Sequence, residues 1–274
     1  MTYCVAMRLQ AGLVFLSDSR TNAGMDQIST FRKMAVYEKP GERVLVLLSA
    51  GNLAITQSVK QLLADETIEV PGGEPINLWT ATTMFDVARI LGSAVRRVHA
   101  RDAEALKQHG IDFNCSFIIG GQIGKETPRL FNVYAAGNFV EAGIDGVCYF
   151  QIGESKYGKP VIDRVVTPAT PLKEAAKCAL ISMDSTLKSN LSVGLPLDLL
   201  IYETDALKVE KLINIDETNA YFRMIRSTWG QRLRQVFDSI PDPTWNGDLA
   251  DPGASPFDQP QAMNPISKIR APQG

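Results

Sequence analysis

Thr2 carries a hydroxyl at a position where it can supply its own base. If Met1 is removed, Thr2 becomes the amino terminus. A terminal threonine can pass its Oγ proton to its own α-amine, directly or through a water, and attack an amide carbonyl. Such a hydrolase needs no histidine. This chain has two, His99 and His109, both in or just after a charged helical stretch. Neither sits in a motif for a Ser-His-Asp, Cys-His or zinc site. Many chains begin Met-Thr for no catalytic reason, so Thr2 has to be weighed with its neighbours.

Asp18 and Arg20 come beside Thr2 if the strands expected over residues 3–9 and 13–17 form a hairpin about Gln10-Ala11-Gly12. Pairing then sets Thr2 opposite residues 18 to 21. A polar strand end accounts for Asp18 equally well. Lys33 reads as mid-strand within residues 29–38, on the face of Phe31, Ala35 and Tyr37. An ammonium on an apolar face is costly unless paired, and Asp18 is an available partner. An edge-strand lysine that deters aggregation, or one whose stem snorkels to water, has the same pattern. Ser49-Ala50-Gly51-Asn52 ends an apolar strand and opens a helix. Backbone amides at such a junction favour negative charge and could hold an oxyanion. An ordinary strand–helix turn uses glycine as readily.

The elements that must position these residues follow from periodicity. Strands are expected over 3–9, 13–17, 29–38 and 43–49, then 113–119, 129–135, 147–152 and 197–203. Ile55, Val59, Leu62 and Leu63 keep helical spacing, as do Met84, Val87, Ala88, Leu91, Val95 and Val98. A helix from 172 to about 188 carries Leu172, Ala176, Ala179, Met183 and Leu187 on one side. A last one aligns Tyr221, Ile225, Trp229, Leu233, Val236 and Ile240. The order of strands and helices implies an α+β fold, and two sheets packed together and covered by helices would satisfy it. The 34 residues from Pro241 hold seven prolines, which reads as a tail, 241–274, that is disordered or loosely docked beside a domain of residues 2–240.

Composition narrows the function classes. The chain is 45% hydrophobic with a net charge of −2, giving no reason to expect nucleic acid as a partner. Arg96, Arg97 and Arg101 are interleaved with Asp102 and Glu104, a solvated helix face. The apolar run 13–16 is too short for a signal peptide core or a membrane span, so a soluble cytoplasmic protein is expected. Cys4, Cys115, Cys148 and Cys178 are widely spaced, read as buried free thiols, and lack metal-ligand spacing. No cofactor and no metal are expected.

Together these segments resemble the proteasome β-subunit family. The matching text is Thr2 before a strand, then Ser17-Asp18-Ser19-Arg20-Thr21-Asn22-Ala23-Gly24, Phe31-Arg32-Lys33-Met34 and Ser49-Ala50-Gly51-Asn52-Leu53-Ala54. It continues to Met183-Asp184-Ser185-Thr186, read as a helix ending on a site aspartate. Within that family the wording is most similar to the bacterial homologue Anbu, through residues 2–7, 151–160 and 191–200, with HslV next. The resemblance covers roughly residues 2–240. It implies a four-layer αββα sandwich, a homo-oligomer in a ring or open spiral, and threonine-dependent cleavage of peptide or unfolded polypeptide. It also implies roles: Thr2 as nucleophile, Asp18 and Lys33 as its charged support, Gly51 as oxyanion donor, and Thr21 and Asn22 pairing with an extended substrate. Ser155 and Asp184, with Ser189, would order the amine and the water, and Arg20 would support them. Two positions depart from the family pattern. Gly153-Glu154-Ser155 leaves the first serine role to Ser155 or loses it to Glu154, and Leu187 stands where a second serine is usual, with Ser189 the next hydroxyl. A proteasome-shaped assembly that binds peptides or partners and cleaves little or nothing is the rival reading, and a non-peptidase amidohydrolase of the same N-terminal-nucleophile class is a third. The sequence names no natural substrate and no ATPase partner. The apolar stripes from Met84 to Val98 and Tyr221 to Ile240 suit either the subunit's own core or packing between subunits, and the resemblance tips the expectation towards subunit packing.

Overall fold

The computed structural model describes residues 2–22, 28–143 and 146–242. The chain opens with strands β1 (Tyr3–Leu9), β2 (Gly12–Asp18), β3 (Arg20–Asn22), β4 (Ile28–Thr30), β5 (Met34–Lys39) and β6 (Arg43–Gly51). Helices α1 (Leu53–Leu63) and α2 (Met84–Gln108) follow. Next come β7 (Cys115–Ile123), β8 (Arg129–Val133), β9 (Phe139–Glu141) and β10 (Tyr149–Gly153), then α3 (Lys159–Val165) and α4 (Leu172–Ser189). Strands β11 (Leu197–Glu203) and β12 (Lys211–Ile215) precede α5 (Ala220–Ser239).

Two five-stranded antiparallel sheets result, ordered β10-β1-β2-β11-β12 and β5-β6-β7-β8-β9, with β3 and β4 forming a small ribbon. β1 and β2 are buried along their whole length because each sheet face meets a different layer. Leu13 and Phe15 join Val44, Val46 and Ile118 between the sheets. Val14 and Leu16 pack with Ala179 and Met183 of α4. On the far side, Leu45 and Leu47 meet Val87, Leu91 and Val95 of α2. These three cores separate four layers, helix–sheet–sheet–helix, the sandwich that the resemblance implied.

Capping and stripe explain the helices beside the site. The Asn52 side chain accepts from the Ala54 and Ile55 amides at 2.9 and 3.4 Å, and Ile55, Val59 and Leu63 bury one face of α1. Met84, Val87, Ala88, Leu91, Val95 and Val98 are all fully buried. The α2 stripe is therefore consumed by the subunit's own core, contrary to the expectation that it serves subunit packing. Burial of that many aliphatic side chains, at about 1.5–3 kcal/mol for each of the larger ones, gives the helix its place.

The strand expected over 29–38 is broken. β4 ends at Thr30 and β5 begins at Met34, so Lys33 lies in the connection between them. Period-2 alternation put Lys33 with Phe31, Ala35 and Tyr37. Ala35 and Tyr37 do pack on the helix layer, whereas Phe31 is exposed and Lys33 reaches Asp18 of the other sheet. The break re-aims the side chain. The described residues up to Ser227 form one compact unit, and the rest of α5 belongs to a second. The tail expected from 241 lies, from residue 243 onward, outside the described residues.

Candidate active site

Thr2 is held by the strand end across from it. β1 pairs with β10 in the register Tyr3↔Gly153, and the Glu154 N–H donates to the Thr2 carbonyl at 2.6 Å. Gly153 has φ +82°, and a Cβ there would collide with the Thr2 carbonyl oxygen. Only glycine lets the two chains approach this closely. Thr2 lines an open cleft of about 1010 Å³ together with Lys33, Ser49, Gly51 and Gly153.

The β1–β2 register runs from Cys4↔Ser17 to Leu9↔Gly12, which carries Asp18 to the end of the hairpin beside Tyr3. Asp18 is fully buried. Its Oδ1 accepts from the Tyr3 N–H at 3.0 Å and from Lys33 Nζ at 2.7 Å, and its Oδ2 lies 3.5 Å from the Gly194 amide. Burial pushes the Asp18 carboxyl up, while Lys33 and the two amides pull it back. Lys33 Nζ also donates to the Arg20 carbonyl at 2.7 Å. The Lys33 carbonyl accepts from the Ser49 amide at 3.0 Å, tying this connection to β6.

Gly51 closes β6 with φ +110°, and a Cβ there would lie 2.5 Å from the Asn114 carbonyl oxygen. Glycine is required for both reasons. The Asn52 amide donates to Asn114 at 2.9 Å. Ladder alternation then turns the preceding amide, that of Gly51, away from β7, and Gly51 lines the cleft with Thr2.

The same reasoning separates Thr21 from Asn22. The Phe31 amide donates to the Ser19 carbonyl at 2.9 Å, and the register continues Arg20↔Thr30, Thr21↔Ser29, Asn22↔Ile28. Alternation spends the Thr21 backbone on Ser29 and turns the backbone groups of Arg20 and Asn22 to the opposite edge, where Lys33 takes the Arg20 carbonyl. The Arg20 guanidinium donates to the Leu191 carbonyl at 3.3 Å.

The remaining expected residues lie further out. Asp184 is buried in α4, with Arg226 Nε 3.4 Å from its Oδ1. Burial raises its carboxyl, against the pull of Arg226 and Lys188. The helix does not end there but runs on to Ser189, which is exposed. The Ser155 carbonyl accepts from the Lys159 amide at 3.1 Å, opening the turn into α3. Neither Ser155, Asp184 nor Ser189 lines the cleft. Glu154 stands nearer to Thr2. Beyond its backbone bond to Thr2, its Oε2 accepts from Asn190 Nδ2 at 3.2 Å. Asn190, Asn114, Ser116 and Lys60 were not anticipated, because their proximity depends on tertiary contacts that no local pattern encodes. Arg32, quoted only within a motif, pairs with Asp198 at 2.6 Å.

No protein-family model and no curated protein matches the chain. Solved structures do. Anbu (ancestral β-subunit) from Yersinia bercovieri is 54% identical, with a TM-score of 0.80, over 89% of this chain and 99% of that one. An Anbu (Gly-1) mutant from Hyphomicrobium sp. strain MC1 is 47% identical, TM-score 0.80, over 89% and 100%. The helical assembly of the Anbu complex from Pseudomonas aeruginosa is 46% identical, TM-score 0.80, over 89% and 99%. With that identity over nearly the whole of each relative, and with the sandwich described above, the chain belongs to the Anbu family, whose fold is the proteasome-like one of N-terminal-nucleophile proteins.

Proposed function

We propose that this chain is a threonine-type peptidase that cuts through Thr2 after Met1 is removed. The observation that carries the reading is the buried Lys33–Asp18 pair, whose Asp18 accepts from the amide of Tyr3, the residue after Thr2, and whose Lys33 shares one cleft with Thr2 and Gly51. In the proposed reaction Thr2 Oγ attacks a peptide carbonyl, and the Thr2 α-amine accepts the hydroxyl proton. The positive charge of Lys33 favours the neutral amine and the alkoxide, and Asp18 fixes that charge in place. The Gly51 amide stabilises the oxyanion. The leaving amine departs with a proton, an ester remains on Thr2, and water hydrolyses it. An extended substrate can add to the free edge at Asn22 by backbone hydrogen bonds. Ser155, Asp184 and Ser189 would act from outside the cleft, by ordering the groups that line it. No cofactor takes part.

Assembly into a homo-oligomer belongs to the same proposal. It is supported by the helical assembly of the Pseudomonas relative and by the apolar side chains that α5 leaves exposed, Tyr221 and Met224 in the first unit and Leu233, Val236 and Phe237 in the second. A cytoplasmic location fits a peptidase confined in this way.

The test is a peptide epoxyketone, which joins a threonine hydroxyl and its free amine in one ring. Intact mass first identifies the chain lacking Met1. One adduct at Thr2, absent in Thr2→Ala, is the expected result. No adduct on a chain proven to lack Met1 would overturn the proposal.

A further inference from the structure

Three cations, Arg32, Lys33 and Lys60, line the cleft that holds Thr2, and among the described residues no carboxylate does. The chain as a whole carries a net charge of −2, so the excess is local. Two of the three are matched from behind, Lys33 by Asp18 at 2.7 Å and Arg32 by Asp198 at 2.6 Å. Among the described residues Lys60 has no carboxylate partner within ion-pair distance. Its Nζ has the Arg32 carbonyl at 3.5 Å, a long contact. Burial lowers its pKa, as expected of a cation drawn away from water without a counter-charge. Lys60 stands one turn beyond Thr56 and Gln57 on α1, and all three line the cleft.

We propose that Lys60 is a specificity-determining residue, receiving the carboxylate of an Asp or Glu whose own carbonyl Thr2 attacks. This rests on the reading of Thr2 as nucleophile. The attacked carbonyl must lie between Thr2 and the Gly51 amide, and both line the cleft. The acyl half stays bonded to Thr2 through the ester, so its side chain occupies the space that remains. A carboxylate there gives Lys60 the charge-assisted hydrogen bond it lacks. A lysine or arginine would add to three like charges, and an apolar side chain would leave Lys60 unpaired in a narrower, drier cleft.

The experiment compares three peptide epoxyketones that differ only in the residue bearing the electrophile, Asp, Leu or Lys. In the wild-type chain lacking Met1, the Asp probe is expected to label Thr2 at least ~10-fold faster than the other two. Lys60→Met should erase that advantage, slowing the Asp probe relative to the Leu probe, and Lys60→Glu should move it to the Lys probe. Equal labelling in the wild type, which requires no variant to fold, would overturn the proposal. So would an advantage that survives Lys60→Met. If no probe labels Thr2, the peptidase reading fails by itself. Fluorescence anisotropy with the Thr2→Ala chain and end-capped peptides then decides the recognition step. Tighter binding of an Asp peptide than of its Asn twin, lost on Lys60→Met, sustains it, and equal binding ends it.

Discussion

Lys33 Nζ lies 2.7 Å from Asp18 Oδ1, and the two residues belong to opposite sheets of the sandwich, Asp18 at the end of β2 and Lys33 at the entry to β5. The pair is thus both a structural tie between layers and the charge beside Thr2. Lys33→Ala would leave a buried carboxylate facing only amides, at a cost of about 3–5 kcal/mol. Lys33→Arg should also fail in turnover, because a planar fork does not replace a compact ammonium. The double variant Asp18→Asn/Lys33→Met separates the roles. It should recover most of the stability in denaturant titration while peptide hydrolysis stays absent. Hydrolysis in the double variant would remove the pair from the mechanism.

Gly51 makes a second, independent test. Its φ of +110°, and the 2.5 Å at which a Cβ would meet the Asn114 carbonyl oxygen, exclude a side chain. Gly51→Ala must shift the end of β6, strain of about 1–3 kcal/mol, and displace the amide offered to the oxyanion. Turnover should fall by about 10²–10³ with substrate affinity little changed. An equal loss in kcat and in binding would mean the substitution had closed the cleft instead.

These two sites differ in how they could be read from the chain alone. The β1–β2 hairpin followed from Gln10-Ala11-Gly12, and its register brought Asp18 to Tyr3 as period-2 pairing requires. β11, buried on both faces, appeared in its full length, 197–203. Lys33 was found for a partly mistaken reason. Alternation assigned it to an unbroken strand, whereas its contact with Asp18 depends on the break at 31–33. α3 and β12 went unseen, since neither carries a long apolar period, and β12 is exposed except at Ile215. The matched acid behind Arg32 was equally hidden, because Asp198 is 166 residues away in sequence and interrupts an otherwise apolar strand.

Assembly is checked by light scattering at micromolar concentration. The expected species is a multiple of the 30.0 kDa chain mass. Val236 and Phe237 are exposed on α5, so Val236→Glu/Phe237→Glu should shift the mixture toward single chains without lowering the melting midpoint of the sandwich. A single-chain mass for the wild type would remove confinement from the proposed function. Full assembly in the variant would exclude this face of α5 as the contact.

Removal of the Pro-rich residues after Ile240 tests a different boundary. Seven prolines and few aliphatic side chains leave little apolar surface to bury, so the truncated chain should melt within about 2 °C of the whole one, less than the shift that 1 kcal/mol produces in a domain of this size. A midpoint lowered by many degrees would mean that the tail packs on the sandwich or on a neighbouring subunit.

Asp184 gives the pH test. Its carboxyl is buried in α4 and its pKa lies above the ordinary 3.8, chiefly through burial, with Arg226 at 3.4 Å only partly offsetting this. The folded chain therefore binds the Asp184 proton more tightly than the unfolded chain does. That contribution to stability is fully present below the unfolded pKa and is lost as pH rises through the folded one. At neutral pH the charged group is a net cost, and Asp184→Asn removes it while keeping shape and polarity. The variant should melt higher than wild type at pH 7, by about 2–4 °C for each kcal/mol relieved. The gap should close as the pH is lowered past the ordinary carboxylate range, where wild type carries a neutral acid as well. Measured across pH 4 to 8, an Asn variant less stable than wild type at pH 7 would show that the attraction of Arg226 outweighs burial. Asp184 would then be a stabilising anchor for α5, and its carboxyl would titrate below the ordinary range rather than above it.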